Sequence, residues 1–223
     1  MSSAAATVAA RVERLRARLS RGAPGSAVQW SMAPGHRPPP EQAAARAATG
    51  RPCAALVLLY PWADEVATVL TVRAAGLREH AGQVSFPGGS IEPGESAQEA
   101  AVREAEEELA VPREALEVVG VLSPLWIPPS NFTVQPIVAA AMERPSFVPA
   151  PDEVAHVLDV PLERLARPET RCVEEWLVSG APSTIPHFRL GEHVVWGATA
   201  MILAELLVAW REAQDGPEAT RRS

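Results

Sequence analysis

Glu104, Glu107 and Glu108 stand at i, i+3 and i+4 in the run "REAEEELAV" (residues 103–111), so a helix would set all three carboxylates on one side. Like charges one turn apart repel by about 0.2–0.5 kcal/mol per pair, and Glu95, Glu99 and Glu106 add to the crowd. Two chemistries fit such an edge. One is a solvated face neutralised by arginines; the other is a set of oxygen ligands for a hard divalent cation such as Mg²⁺ or Mn²⁺. Glu99 and Arg103, four residues apart, are expected to pair, which leaves the other three carboxylates without a basic partner one turn away.

These side chains need a helix with a buried back. Ser96 followed by Glu99 makes a capping box, so the helix is expected from Ser96 to about Leu109, with Ala101, Ala105 and Leu109 as its small packing strip. "AALVLLY" (Ala54 to Tyr60) and "VATVLTVR" (Val66 to Arg73) are apolar and rich in β-preferring residues, and "PWADE" between them reads as a turn. Further strands are expected at "LEVVGVLS" (Leu116 to Ser123) and "TVQPIVAAA" (Thr133 to Ala141), separated by a proline-braced loop, "PLWIPPSN". "PDEVAHVLDVPLERL" reads as a short strand into a helix, and "RCVEEWLVSG" with "IPHFRL" as a late hairpin. The closing helix carries Trp196, Ala200, Leu203, Leu207 and Trp210 along one face. Strands mixed with packing helices point to a layered α/β domain.

The ends have their own pattern. Val8, Val12, Leu15 and Leu19 form a stripe at helical spacing within Ala5 to Ser20, and a linker rich in Pro, Gly and Ala, including "HRPPP", runs to about Gly50. The expected division is therefore 1–50 for helix and linker, 51–212 for the main domain and 213–223 for a polar tail. A length of 223 residues with 47% hydrophobic content suits one domain with extensions.

Net charge is −7, from 27 acidic against 20 basic residues, which argues against a generic grip on nucleic acid or an anionic membrane. No lysine occurs, so every basic side chain is an arginine, whose planar fork suits phosphate. The two cysteines, Cys53 and Cys172, lie far apart in apolar segments and fit reduced thiols of a cytoplasmic protein. Val194 to Trp210 is short for a membrane span and contains Glu205, so it is expected as a buried helix. His187 and His193 lack metal-ligand spacing.

From Gly89 the sequence runs G-x5-E-x7-R-E-A-x-E-E-x-A-V, through Gly89, Glu95, Arg103, Glu104, Glu107 and Glu108. This resembles the Nudix box, G-x5-E-x7-R-E-U-x-E-E-x-G-U with U apolar. The resemblance implies the Nudix fold, an α/β/α sandwich with a mixed β-sheet, here with an added N-terminal helix. It further implies that Glu104, Glu107 and Glu108 bind Mg²⁺ or Mn²⁺ with the Gly89 carbonyl, and that Arg103 orients the glutamates. Ala110 departs from the pattern's glycine, and its methyl group is tolerated provided that the backbone there is not left-handed. Upstream, Leu70, Thr71, Arg73, Ala74, Arg78, Gly82, Phe86, Pro87, Gly88 and Gly89 match a segment, L-L-T-x-R-[SA]-x3-R-x3-G-x3-F-P-G-G, that is similar to the extra motif of the Nudix coenzyme A diphosphatases.

That second resemblance implies hydrolysis of coenzyme A and acyl-coenzyme A to 3′,5′-ADP and 4′-phosphopantetheine, or its acyl form. Arg73, Arg78, Gly82 and Phe86 would then be substrate-binding, because coenzyme A carries a 3′-phosphate besides its diphosphate. Glu153 is a candidate general base recruited from outside the box, beside Arg103, Glu104 and Glu107. The alternatives are another Nudix substrate (NADH, ADP-ribose or a modified nucleoside triphosphate) and a Nudix-fold module that binds a nucleotide without turnover. The expected partner is thus a small molecule, with neither nucleic acid nor membrane.

Overall fold

The computed structural model describes residues 3–74 and 82–215. The chain opens with helix α1 (Ser3–Leu19), the short helix α2 (Ser26–Trp30) and helix α3 (Pro40–Ala47). Strands β1 (Arg51–Trp62) and β2 (Glu65–Arg73) follow as an antiparallel pair, then two short strands, β3 (Val84–Ser85) and β4 (Gly88–Ser90). The glutamate helix is α4 (Ala97–Leu109). After it come β5 (Glu117–Val121), β6 (Leu125–Ile127), β7 (Phe132–Ala140) and β8 (Val154–Pro161), and a single helical turn, α5 (Leu162–Leu165). The hairpin of β9 (Arg171–Val178) and β10 (Ala181–Leu190), the strand β11 (His193–Trp196) and helix α6 (Gly197–Asp215) complete the described chain.

Strand β1 runs antiparallel to β2 and β4 and parallel to β7, so the large sheet is mixed. Its central position shows in its side chains. Ala54, Leu56, Leu58 and Tyr60 pack beneath α4 with Ala101, Ala105 and Leu109, whereas Ala55, Val57 and Leu59 face the opposite core with α1 and α6. A strand buried on both faces reads as a continuous apolar run, which is what "AALVLLY" is. The α/β/α layering follows from those two faces, and β9, β10 and β11 form a separate small sheet.

Residues 21–50 are packed against the domain, not an open tether. Glu205 of α6, fully enclosed, accepts hydrogen bonds from Gly25 N (2.9 Å), Gln29 Nε2 (2.8 Å), Ser123 N (3.0 Å) and Ser123 Oγ (2.7 Å). The N-terminal helix docks by its expected stripe, with Val8, Val12, Leu15 and Leu19 all buried, and Leu19 fits against Gly120, where a Cβ would lie 2.9 Å from the Leu19 Cβ. Other bounds move as well. Trp196 ends β11 instead of entering the closing helix, α6 runs on to Asp215, and "PLWIPPSN" holds the strand β6, which pairs with β7. Among the described residues, no helix is long and apolar enough to cross a membrane.

The end of α4 also differs from expectation. Ala110 sits at φ 53° and ψ 34°, the left-handed region, with its N–H donating to Glu106 O (2.9 Å) and the Val111 N–H to Ala105 O (3.4 Å). This is an αL termination, and it places a Cβ where glycine is favoured by roughly 1–2 kcal/mol before chain entropy is counted. Ala110→Gly is therefore expected to stabilise the protein by about 0.5–1 kcal/mol. A urea midpoint unchanged or lowered by that substitution would refute the strain.

Candidate active site

The box glutamates reach their places through a turn that only small residues can make. Gly88 and Gly89 pair with Ala55 and Ala54 of β1, and a Cβ on Gly89 would lie 2.2 Å from Glu104 Oε1. The Glu104 carboxylate thus rests directly on bare backbone. One turn on, the Gly88 N–H donates to Glu108 Oε1 at 3.4 Å. The capping box holds the start of the helix as expected: Ser96 Oγ accepts from Glu99 N, and Ser96 N donates to Glu99 Oε2 at 2.8 Å.

Arg103 has different partners from those expected. Glu99 is engaged by Ser96, and Arg103 donates instead to Glu95 (Nε to Oε1, 2.9 Å), to Glu104 Oε1 and Glu107 Oε2 (both 3.0 Å from Nη1), and to the Ser90 carbonyl (3.0 Å from Nη2). Glu107, at i+4 from Arg103, does have a basic partner one turn away. The geometry favours it because Arg103 points across the carboxylate edge toward β4, whereas Glu99 is drawn back to the cap. Glu106 lies apart, paired with Arg113.

A cleft of about 530 Å³ opens beside this edge. Glu104, Glu108 and Glu153 line it together with Arg73, Gln83 and Phe86. Glu153 arrives from the start of β8, where its carbonyl accepts from Ala74 N at 2.8 Å. Glu107 is outside the lining, its side chain 57% exposed. Gly82, at φ 72°, donates its N–H to Arg73 O (3.1 Å) and closes the segment that follows β2. Arg78 and His80 fall within 75–81, outside the described residues. Sequence reasoning missed Arg37 and Trp196, which also line the cleft; "HRPPP" looked like linker, and nothing in its composition marked a site.

The electrostatics of the cleft are those of carboxylates crowded out of water. Glu108 is only 4% exposed, and burial pushes its carboxyl up to about 7, with the charges of Glu104 and Glu153 adding to the effect. Glu104 is raised too, chiefly by burial, although Arg103 opposes the shift. Burial likewise pushes the Cys53 thiol up to about 11, so it forms a neutral wall of the cleft and no nucleophile.

Hard divalent cations take oxygen ligands, and this edge offers carboxylates and the bare backbone at Gly89, so the donor set fits such an ion. Among the described residues, no three His, Cys, Asp or Glu side chains are gathered into a ready metal cage. Glu107 is turned to Arg103 and Glu108 to Gly88. Of the residues expected in the site, the cleft therefore collects Glu104, Glu108, Glu153, Arg73, Phe86 and Gly89, with Arg103 and Glu107 adjoining.

Known proteins match this chain as follows. A family model described as the NUDIX domain matches residues 50–177. The protein named uncharacterized Nudix hydrolase NudL of Citrobacter koseri is 37% identical over 150 residues, covering 62% of this chain and 72% of the relative. Its namesake of Cronobacter sakazakii is 37% identical over 154 residues, covering 64% and 74%. Among solved structures, a MutT/nudix family protein from Enterococcus faecalis superposes with a TM-score of 0.50 at 18% identity, over 70% of this chain and 60% of that one, a likeness of fold alone.

The raised Glu108 carboxyl gives a pH test. A carboxyl whose pKa is higher in the folded state contributes stability that is fully present below its unfolded value, near 4.5, and lost as pH rises through about 7. Above that the charged form costs roughly 3 kcal/mol. In chelator, Glu108→Gln should match the wild type near pH 4.5 and exceed it by about 2–3 kcal/mol at pH 8. Denaturant titrations at the two pH values that gave equal differences would contradict the burial argument.

Proposed function

The chain belongs to the NUDIX domain family and is a Nudix hydrolase of a diphosphate substrate, and from that premise we propose that it splits coenzyme A and acyl-coenzyme A into 3′,5′-ADP and 4′-phosphopantetheine or its acyl form. The observation that carries the reading is Arg73. It lines the same cleft as Glu104 and Glu108, its charge acts on Glu108, and its Nε is enclosed without a hydrogen-bond partner among the described residues. A desolvated guanidinium donor beside a carboxylate edge suits a substrate with a phosphate to spare near its scissile diphosphate. The match of Arg73, Gly82 and Phe86 to the coenzyme A motif supports the same choice, with Arg78 as a second arginine in that motif.

In the proposed mechanism Glu104, Glu107 and Glu108 would hold the divalent cation with the Gly89 carbonyl. When bound, that cation supplies Lewis acidity to activate water and neutralises charge on the leaving phosphate. Arg103 keeps Glu104 and Glu107 oriented toward each other by bonding one oxygen of each. Glu153, exposed at the start of β8 and facing the cleft, takes the proton from the attacking water. Arg73 binds the 3′-phosphate, and Phe86, buried beneath the Gly88–Gly89 turn, shapes the floor. No enzyme nucleophile is required, in keeping with the protonated Cys53.

The first test is to incubate the protein with Mg²⁺ or Mn²⁺ and coenzyme A and to identify products by mass spectrometry. Formation of 3′,5′-ADP with phosphopantetheine is expected; no cleavage, with NADH or ADP-ribose hydrolysed in parallel, would overturn the substrate and leave the chemistry. Glu107→Gln should lower kcat by about 10³ or more, several kcal/mol of lost charge stabilisation, with folding intact because Glu107 is largely solvated. Most of the wild-type rate in that variant would remove Glu107 from the metal site.

A further inference from the structure

The cleft has a second cation that lies outside the stretch matched by the family model. Arg37 comes from the segment before α3, yet it lines the same cavity as Glu104, Glu108 and Arg73. Its Nη2 donates to the Trp126 carbonyl, and its guanidinium carbon lies 5.6 Å from the centre of the Trp30 ring. Its Nε is fully enclosed with no acceptor, and it forms no ion pair among the described residues. By contrast Arg11, Arg18, Arg103, Arg113, Arg144 and Arg189 each pair with a carboxylate. Desolvation without a counter-charge holds the Arg37 pKa down to about 10.

A purely structural role explains this poorly. The segment is already tied to the small sheet by Gly35 N to Thr184 O (2.8 Å) and by the His36 N–H to Ser183 Oγ (3.1 Å). Satisfying one carbonyl needs one neutral donor, whereas a guanidinium brings five donors and a charge that is costly to remove from water unless it is met.

Strand register locates that ligand group. Ser90 of β4 pairs with Cys53 of β1, Cys53 with Val134 of β7, and Val134 with Leu125 of β6, beside Trp126. The glutamate end of the cleft and the strand that grips Arg37 are thus three strand spacings apart, about 14 Å. A phosphate on the ribose that bears the diphosphate stays within a sugar's width of it and falls short of that span; Arg73 is the residue placed for such a group. We propose that Arg37 is an anion-binding residue of the cleft, taking an oxyanion carried by the arm of the substrate remote from the scissile diphosphate; coenzyme A itself has no anion there, so within the proposed substrates this group is a carboxylate on the acyl chain. The word remote rests on the hydrolytic reading of the glutamate end; the anion site itself does not.

The test uses the full chain in chelator, with ¹⁵N-labelled arginine, and follows Nε–H resonances by NMR during titration with inorganic phosphate and, separately, with acetate. The Arg37 resonance, identified by its loss in Arg37→Gln, is expected to shift saturably with at least one anion. Phosphate alone would identify a phosphate site, and an equal response to acetate a carboxylate site. Affinity for the effective anion should fall about tenfold in Arg37→Gln, the equivalent of about 1.4 kcal/mol, and recover in part in Arg37→Lys, which restores charge without the fork. An Arg37 resonance indifferent to both anions, or unchanged affinity in Arg37→Gln, overturns the proposal. Should Arg37→Gln not fold, Arg37→Lys assigns the resonance and the wild-type titration decides. Failure to hydrolyse coenzyme A would refute that substrate and leave this titration untouched.

Discussion

The Arg103 guanidinium is the contact on which the carboxylate edge depends. Its fork bonds Glu95, Glu104, Glu107 and the Ser90 carbonyl at once, so one side chain ties the loop before α4, the helix itself and β4 together. Without a cation at that point, three carboxylates within two turns would repel and swing to solvent. With it, Glu104 is held against the bare backbone of Gly89 and Glu107 keeps its place at the edge, half in water. The same bonds limit Arg103 as a substrate ligand, because its donors are already spent on protein acceptors. Arg73 and Arg37, which line the cleft, are the arginines proposed to meet an anionic substrate.

The parts of this arrangement visible in the sequence were those with a local cause. The capping box of Ser96 and Glu99, the packing strip of α4 and the doubly buried β1 are each set by residues within a few positions of one another. What escaped was decided by distant contacts. The strands β3, β4, β6 and β11 are two to four residues long, too short for a period of two to show, and exist because β1, β2, β7 and β10 offer partners. Arg103 was expected to choose Glu99 on spacing alone, but the cap took Glu99 and the Ser90 carbonyl fixed the direction of the fork. Ala110 shows a different limit: the glycine of the box pattern marks the position, but that the backbone there is left-handed and the alanine strained is seen only at the helix end.

Two glutamates in the same core show how polar satisfaction separates structure from chemistry. Glu205 and Glu108 are both buried acids on helices. Glu205 accepts four hydrogen bonds from Gly25, Gln29 and Ser123, a shell that satisfies both its oxygens and fastens residues 25–29 to α6 and to the residue that follows β5 by two positions. Glu108 has one long bond from Gly88 and two like charges for neighbours. A fold gains nothing from such a group left alone, since protonating it or replacing it with an uncharged residue would relieve the cost.

That difference bears on the N-terminal segment as well. Because Glu205 anchors Gly25 and Gln29, the chain between them and α3 has its course fixed before it reaches the cleft, and Gly35 and His36 fasten it again to the small sheet. Arg37 thus follows directly on two independent anchors, at residues 25–29 and at Gly35 and His36, which fix where it enters the cleft. The guanidinium and the carboxylate Glu108 are mirror cases: each is a desolvated charge with fewer partners than its burial calls for, at the two ends of one cavity. A ligand that brings a cation to one end and an oxyanion to the other would relieve both costs at once.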